Sequence, residues 1–251
     1  MDDRETNFNQ FVRNLNSNSV ALEYLKSRSL SENLISENIV GFCPPYSRYS
    51  FPLLKGRLIV PIKDVHGNII ALAGRKIDSL QQTTIESFWD AYGSEPAKCQ
   101  DRINKWTKGK WINEPYHKGK NLYFLDVSKE YIRQKNYAII VEGYFDVLSL
   151  YDNGLKNVCA ISGTSISDYQ ISLLSRFCDH ICILMDGDIA GNTAAQKISK
   201  RINELGLKAF SLFLPNNMDP DDFAKNYELE FLDNSIQNMI ENDITTLEIV
   251  L

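Results

Sequence analysis

The second half of the chain, from Asn121 onward, constrains the fold most strongly, because apolar segments alternate there with amphipathic ones. The apolar segments, YAIIV and HICILM among them, show no polar residue at every second position. Unbroken strands that alternate with helices are typical of a parallel sheet covered on both faces. We therefore predict a parallel-sheet α/β domain here, and its expected strands are NLYFLD, YAIIVEG, NVCAISG, HICILMDGD and KAFSLFLP.

The first half of the chain shows other patterns. Residues 1–41 have apolar positions at helical spacing and predict short helices, while RLIVPIKD and NIIALAGRKI predict a β-hairpin. Residues 79–116 are polar, with tryptophans interleaved among basic residues, and predict an excursion from the fold. We expect an α+β N-terminal subdomain over 1–135, an α/β domain over 136–222, and a helical segment over 223–251.

Composition narrows the class of protein. The chain has 251 residues, of which 43% are hydrophobic and 24% charged, as in ordinary globular proteins. No apolar run approaches the roughly 18 residues of a membrane helix, and the acidic, polar N-terminus is unlike a secretory signal. We therefore expect a cytoplasmic protein, in a bacterium or an infected host, with no membrane contact.

The cysteines indicate neither disulfides nor zinc. There are five of them, widely scattered and with no CxxC pair, which argues against a disulfide framework and against a structural zinc site. Cys178, His180 and Cys182 lie close together in CDHIC, but no fourth ligand is evident, so a buried strand is the favoured interpretation. No structural zinc is expected in this chain.

Charge is distributed unevenly along the chain. The net charge is −5 at pH 7, yet residues 42–135 carry +7 and residues 136–251 carry −10. A basic surface would neutralise the phosphates of a nucleic acid, and an acidic cluster would hold divalent cations. Solvated surfaces without a ligand would show the same totals, so composition alone leaves both interpretations open.

Acidic residues follow the predicted strands. Glu142 comes directly after YAIIV, Asp186 and Asp188 come after HICILM, and Asp219 and Asp221 precede a short predicted helix. Carboxyl ends of parallel strands meet at one edge of a sheet, and residues two apart on a strand share a face. Crowded carboxylates repel one another unless a cation neutralises them, and Mg²⁺ and Mn²⁺ prefer oxygen ligands. Each motif alone also occurs in ordinary turns.

Several segments resemble a known family. VEGYFDVLSL, SGTSIS and LMDGDIAGNTAA resemble the Toprim fold of bacterial and phage DnaG-type DNA primases. GRLIVPIKDVHGNIIALAGRKI, KWINEPYHKGKNLYFLD and FLPNNMDPDDFAKNY resemble further stretches of the primase catalytic core. The resemblance implies an enzyme that synthesises short RNA primers on single-stranded DNA by two-metal nucleotidyl transfer, as a DNA-directed RNA polymerase.

The same resemblance implies roles for individual residues. Glu142, Asp186 and Asp188 correspond to the catalytic, metal-binding acids of the family, and Asp219 and Asp221 to further metal ligands. The positions that correspond to nucleotide or template contacts are Arg57, Arg75, Lys110, Asn113, Lys118, Asp146, Gly163 and Thr164. The implied cofactor is Mg²⁺ or Mn²⁺. The implied partners are a single-stranded DNA template, ribonucleoside triphosphates, a replicative helicase and a separate zinc-binding module.

Two other functions fit the acidic motifs. A Toprim-type metal-dependent nuclease would use the same ions to hydrolyse phosphodiesters, and a non-catalytic replication accessory would use the acidic edge only as structure. The primase-like residues 42–126 favour a primase over a nuclease. The complete set of acids disfavours the accessory, because clustered carboxylates with perturbed pKa values are typical of functional sites.

Overall fold

The computed structural model describes residues 3–215 and 217–249. The chain forms two compact units, one comprising the chain up to Ile62 together with Ile69–Tyr116, the other Lys63–Asn68 together with the chain from His117. Among the helices of these described ranges, none has the length and apolar character needed to cross a membrane.

The first unit contains a four-stranded sheet with the strands in chain order. Its elements are α1 (Asp3–Asn16), α2 (Ser19–Ser27), α3 (Asn33–Ser36), β1 (Gly41–Cys43), β2 (Arg57–Lys63), β3 (Ile69–Lys76), α4 (Gln81–Tyr92), α5 (Pro96–Lys108) and β4 (Trp111–Asn113). The predicted N-terminal helices and the predicted strand pair β2 and β3 are both present. The predicted excursion consists of α4, α5 and β4, and β4 returns antiparallel to β3.

The second unit contains a five-stranded sheet in the order β6-β5-β7-β8-β9, and its four strand pairings are parallel, as predicted. Its elements are α6 (Leu125–Lys135), β5 (Tyr137–Val141), α7 (Tyr144–Asp152), β6 (Val158–Ala160), α8 (Asp168–Leu174), β7 (His180–Ile183), α9 (Ile189–Glu204), β8 (Lys208–Phe213), α10 (Pro220–Asn226), α11 (Leu229–Glu241) and β9 (Thr246–Glu248). The core strands are buried along almost their whole length, which explains their unbroken apolar sequences.

Two predicted elements differ from the structure. The segment NLYFLD makes only an isolated bridge, between Tyr123 and Ala160, and α6 already begins at Leu125. The physical reason is Phe124, whose φ of 73° is left-handed and ends the extended conformation. In the segment 223–251, predicted as helical, β9 instead adds a parallel strand beside β8.

The boundary between the units also differs from the predicted boundary at residue 135. The structure divides the chain between residues 116 and 117, so α6 belongs to the second unit. Helix α6 contacts β5 and β6, and packing against these strands draws it into the unit that carries the parallel sheet.

Candidate functional site

Glu142 lies at the carboxyl edge of the parallel sheet, directly after β5. Strands β5 and β7 end at nearly the same level, since Ile140 is paired with Ile183. The half-buried carboxylate of Glu142 therefore lies within electrostatic range of Asp186 and Asp188, which the neighbouring connection carries. Burial, followed by the negative charges of Asp186 and Asp188, raises the pKa of Glu142 to about 7.

Asp186 and Asp188 lie on the connection between β7 and α9, because β7 ends at Ile183. This corrects the expectation that the two residues share a face of one strand. Asp188 is exposed and caps α9, its Oδ1 accepting a hydrogen bond from the Gly191 N–H at 2.6 Å. Asp186 is half-buried, and burial together with the charges of Asp219 and Asp188 raises its pKa. The connection thus presents both carboxylates to the region of Glu142.

Gly187 joins this connection to the one that precedes α10. Its N–H donates to the carbonyl of Met218 at 2.8 Å, and its own carbonyl accepts from the Asn217 N–H at 3.1 Å. A Cβ at position 187 would lie 2.5 Å from the carbonyl oxygen of Pro215, closer than real Cβ contacts. Only glycine allows the two connections to approach this closely, and the approach places Asp219 within electrostatic range of Asp186.

The tightest acidic group surrounds the N-terminus of α10. Asp219, Asp221 and Asp222 each offer a carboxylate oxygen, and these atoms lie within 4.8 Å of one another. Within residues 3–215 and 217–249, no other three His, Cys, Asp or Glu side chains meet this spacing, so Glu142, Asp186 and Asp188 are more widely spread. Asp219 caps α10 by accepting from the Asp222 N–H at 2.6 Å, and burial raises its pKa.

Asp221 is engaged by two side chains of its own unit. It is 2% exposed, it accepts a hydrogen bond from the Ser149 hydroxyl at Oδ1, and Lys225 Nζ lies 2.6 Å from its Oδ2. Ser149 belongs to α7, whereas Asp221 and Lys225 belong to α10. Asp221 therefore links two helices, and both of its oxygens already have cationic or hydroxyl partners.

Asp146 lies in the first turn of α7, next to the other acids. Its Oδ2 accepts a hydrogen bond from the Gly143 N–H at 2.8 Å, which caps the helix. Burial raises its pKa to about 7, and the charges of Asp186 and Asp219 act in the same direction. Its contact with a nucleotide, implied by the resemblance, stays a prediction.

A basic residue and an exposed loop meet on the second unit. Lys118 is exposed, and its Nζ lies 3.4 Å from the carbonyl oxygen of Ser162, within hydrogen-bond reach. The side-chain amide of Gln170 donates to the carbonyl of Lys118 at 3.2 Å, which holds the backbone of this segment in place. Gly163 and Thr164, the next residues of the loop, are both exposed. Backbone N–H groups in such loops bind anions, so Lys118 and the loop form a candidate phosphate-binding surface.

Arg57 requires a correction. The resemblance places it at a nucleotide-facing position, but the structure buries it completely inside the first unit. Its guanidinium donates to five backbone carbonyls, those of Leu53, Gly74, Trp106, Gly109 and Lys110. Burial and the charge of Arg75 lower its pKa to about 10, so it stays protonated at neutral pH. Arg57 therefore holds loops together and is closed to a nucleotide.

The other predicted positions of the first unit lie on or beside β3 and β4. Arg75 donates from Nε to the Tyr24 hydroxyl at 3.0 Å, and its guanidinium lies 5.8 Å from the centre of the Trp111 ring. Lys110 is exposed and Asn113 is half-buried. Their contacts with nucleotide or template stay predictions.

The crowded acids lead to a prediction about pH. A carboxyl group whose pKa is higher in the folded than in the unfolded state binds more protons when folded, so the free energy of unfolding falls as pH rises between the two values. For Glu142 this window extends from 4.5 to about 7. We expect the thermal unfolding midpoint, measured by calorimetry in the presence of a chelator, to decrease as the pH is raised from 5 to 8. Glu142→Gln should make that fall shallower.

The matched control for this measurement is Glu241→Gln, which changes an exposed glutamate of α11. It should keep the pH dependence of the unmodified protein. If Glu142→Gln and Glu241→Gln gave the same slope, Glu142 would not be held among like charges in the folded state.

Comparison with known proteins agrees with this geometry. Residues 139–224 match a family described as Toprim-like. A DNA primase of Aquifex aeolicus (strain VF5) is 30% identical over 262 residues, which cover 91% of this chain and 47% of that protein. The chain is homologous to the catalytic core of DnaG-type DNA primases. Toprim primases are generally metal-dependent, in keeping with the acids at the edge of the sheet.

Further relatives delimit this primase-like core. A DNA primase of Staphylococcus aureus (strain COL) is 28% identical over 240 residues, which cover 82% of this chain and 36% of that protein. The chain thus spans less than half the length of these two relatives. The structure of the Aquifex aeolicus primase zinc-binding and RNA polymerase domains superposes with a TM-score of 0.71 and 28% identity, over 92% of this chain and 59% of that one.

A second solved structure supports the fold alone. The DnaG primase catalytic domain bound to single-stranded DNA has a TM-score of 0.72 at 23% identity, over 93% of this chain and 79% of that one. The predicted fold, an α+β part followed by a parallel-sheet α/β part, is confirmed.

Proposed function

We propose that this chain is the catalytic core of a DNA primase, which joins ribonucleotides into short RNA primers on a single-stranded DNA template. The observation that carries the proposal is the gathering of Glu142, Asp186 and Asp188 at one edge of the parallel sheet, where the charges of the two aspartates act on Glu142. The relatives named as DNA primases support it.

The acids fit a divalent cation. They supply carboxylate oxygens alone, the ligands preferred by Mg²⁺ and Mn²⁺. Burial and the charges of neighbouring acids raise the pKa values of Glu142, Asp186 and Asp219, and a bound cation would relieve this repulsion. We assign Glu142, Asp186, Asp188 and Asp219 as the residues that hold Mg²⁺ or Mn²⁺. Bound ions of this kind supply activation of an attacking 3′-hydroxyl and stabilisation of a pyrophosphate leaving group.

The neighbouring residues position these acids. The pairing of β5 with β7 places Glu142 beside the connection that carries Asp186, and the backbone contacts of Gly187 hold the approach to Asp219. Asp221, bonded to Ser149 and Lys225, fixes α10 on α7, and we assign it a positioning role in place of the metal-binding role implied by the resemblance. These contacts hold the acids in place before substrate binds.

Basic and backbone groups would bind the phosphates. On the second unit, Lys118 and the exposed Gly163–Thr164 loop suit a triphosphate, because a cation and the backbone N–H groups of an exposed loop both attract anions. On the first unit, Arg75 and Lys110 suit the template backbone. Arg57 is excluded from this set by its burial.

The direct test is the incorporation of labelled ribonucleotides by this chain on single-stranded DNA in Mg²⁺ or Mn²⁺. A primase core yields short RNA products that require all three of protein, template and cation. A nuclease instead degrades labelled single-stranded DNA when nucleotides are omitted. An accessory protein binds the DNA and gives neither product. Degradation, or binding alone under conditions that saturate template, would overturn the proposal.

A further inference from the structure

The connection between β3 and β4 is far longer than its geometry requires. The two strands pair directly, with Arg75 opposite Trp111, and the Lys76 N–H donates to the carbonyl of Lys110 at 3.0 Å. A turn of two to five residues normally joins such neighbours. Here the connection contains two helices, α4 and α5. Long structured connections of this kind commonly carry binding functions.

The α4–α5 hairpin is firmly seated on the first unit. Phe88 of α4 and Cys99, Ile103 and Trp106 of α5 form a small apolar core. Trp106 is fully buried, and its Nε1 donates to the carbonyl of Lys55 at 2.7 Å. The inner face of α5 is therefore fixed, and this also fixes the direction of its outer face.

The outer face of α5 is basic. Lys98, Arg102 and Lys105 are spaced four and three residues apart, which places them on one side of the helix over about 10 Å of its length. They line a cavity of about 390 Å³ whose other wall is apolar and half-buried. That wall is formed by Phe51, Pro52 and Leu53.

Nearby acids only partly balance these cations. Asp101 also lines the cavity and pairs with Lys105 at 2.7 Å, and Glu95 pairs with Lys98, but all four side chains are exposed. Exposed pairs of this kind are weak and give way to a polyanion. The guanidinium of Arg102 lies over the Tyr92 ring, with its central carbon 4.0 Å from the ring centre. This cation–π contact holds the guanidinium in a fixed orientation.

We propose that the cavity between α5 and the Phe51–Leu53 wall binds single-stranded nucleic acid. Phosphates would lie on Lys98, Arg102 and Lys105, and one base would lie against Phe51 and Pro52. A row of cations beside an apolar or aromatic wall is the usual construction of sequence-tolerant single-strand sites. That the strand is the template rests on the proposed function, whereas the binding itself does not.

The experiment measures the affinity of the whole chain for fluorescent oligothymidylate as a function of salt, by anisotropy. The variant Lys98→Ala/Arg102→Ala/Lys105→Ala should lower affinity at low salt at least about tenfold. It should also reduce the slope of log affinity against log salt by about 2, since each phosphate contact on a single strand contributes about 0.7. Phe51→Leu, which keeps an apolar side chain, should weaken binding about fivefold or more and leave the slope unchanged.

The matched control is Arg13→Ala/Lys26→Ala/Arg48→Ala, which removes three exposed cations from the same unit. This control variant should keep most of the slope of log affinity against log salt that the unmodified protein shows. Equal slopes for the two triple variants would overturn the inference. A second result would also overturn it: the α5 variant loses binding of a polyglutamate peptide, which the control variant keeps, while its affinity for oligothymidylate is unchanged. That result would assign the surface to an acidic protein.

Ribonucleotide incorporation separates this inference from the proposed function. At saturating template the α5 variant should keep its kcat and show only a raised KM for template. A protein that made no RNA, but whose oligothymidylate affinity still depended on α5, would contradict the primase proposal and leave the single-strand site standing.

Discussion

Glu142→Gln should reduce ribonucleotide incorporation by at least about 1,000-fold, because losing one ligand of a catalytic cation site removes several kcal/mol of transition-state stabilisation. The side chain keeps its size but loses its charge, so the fold should persist. At pH 8 the unfolding midpoint in chelator should equal or exceed that of the unmodified protein, since the carboxylate is held among Asp186 and Asp188 at a raised pKa.

The combination of lost activity and retained stability is what distinguishes a ligand from a structural residue. Quenched-flow or gel assays of RNA product, together with calorimetry on the same preparation, measure both. Glu241→Gln, on the exposed face of α11, should leave both unchanged. Incorporation by Glu142→Gln at more than about a tenth of the normal rate would remove Glu142 from the catalytic set.

Arg57→Ala should have the largest effect on stability. Removing the guanidinium takes a donor from five backbone carbonyls of the first unit, of which that of Lys110 keeps the Lys76 N–H, and opens a cavity where the side chain is 0% exposed. We expect the free energy of unfolding to fall by about 3–5 kcal/mol. Arg57→Lys should recover little of this, because an ammonium group cannot reach carbonyls spread around a planar fork.

Urea denaturation followed by far-UV circular dichroism measures this loss, with Arg13→Ala on the exposed side of α1 as the control of equal charge. The control should cost less than about 0.5 kcal/mol. A stable Arg57→Ala protein with weakened nucleotide binding would instead restore the nucleotide-facing position that the resemblance implies.

The sequence contains enough to predict four strands of the parallel sheet, including the edge strand β6, but not the opposite edge strand β9. Strands β5, β7 and β8 are buried, and this burial is visible as unbroken apolar runs. Strand β9 is three residues long and mostly exposed, so it depends on its pairing with β8 and has no apolar signature. The conformation of Phe124, which prevents NLYFLD from forming a strand, depends on tertiary packing that no local pattern reveals.

In the candidate site too, some features follow from local sequence patterns and others depend on tertiary contacts. The acids could be found because each follows a strand, and strand ends in a parallel sheet share an edge. The bond from Ser149 to Asp221 joins residues 72 positions apart, so no spacing rule indicates it. Arg57 was placed wrongly because its interior position depends on carbonyls from separate loops, including the carbonyls of Trp106 and Gly109 in the α4–α5 region.

The most direct test of the cation site is anomalous diffraction from a crystal soaked in Mn²⁺. We expect a peak at about 2.0–2.3 Å from carboxylate oxygens of Glu142 and of Asp186 or Asp188. Peaks confined to exposed acids such as Asp243, with none beside Glu142, would contradict the assignment on which the proposed polymerase chemistry depends.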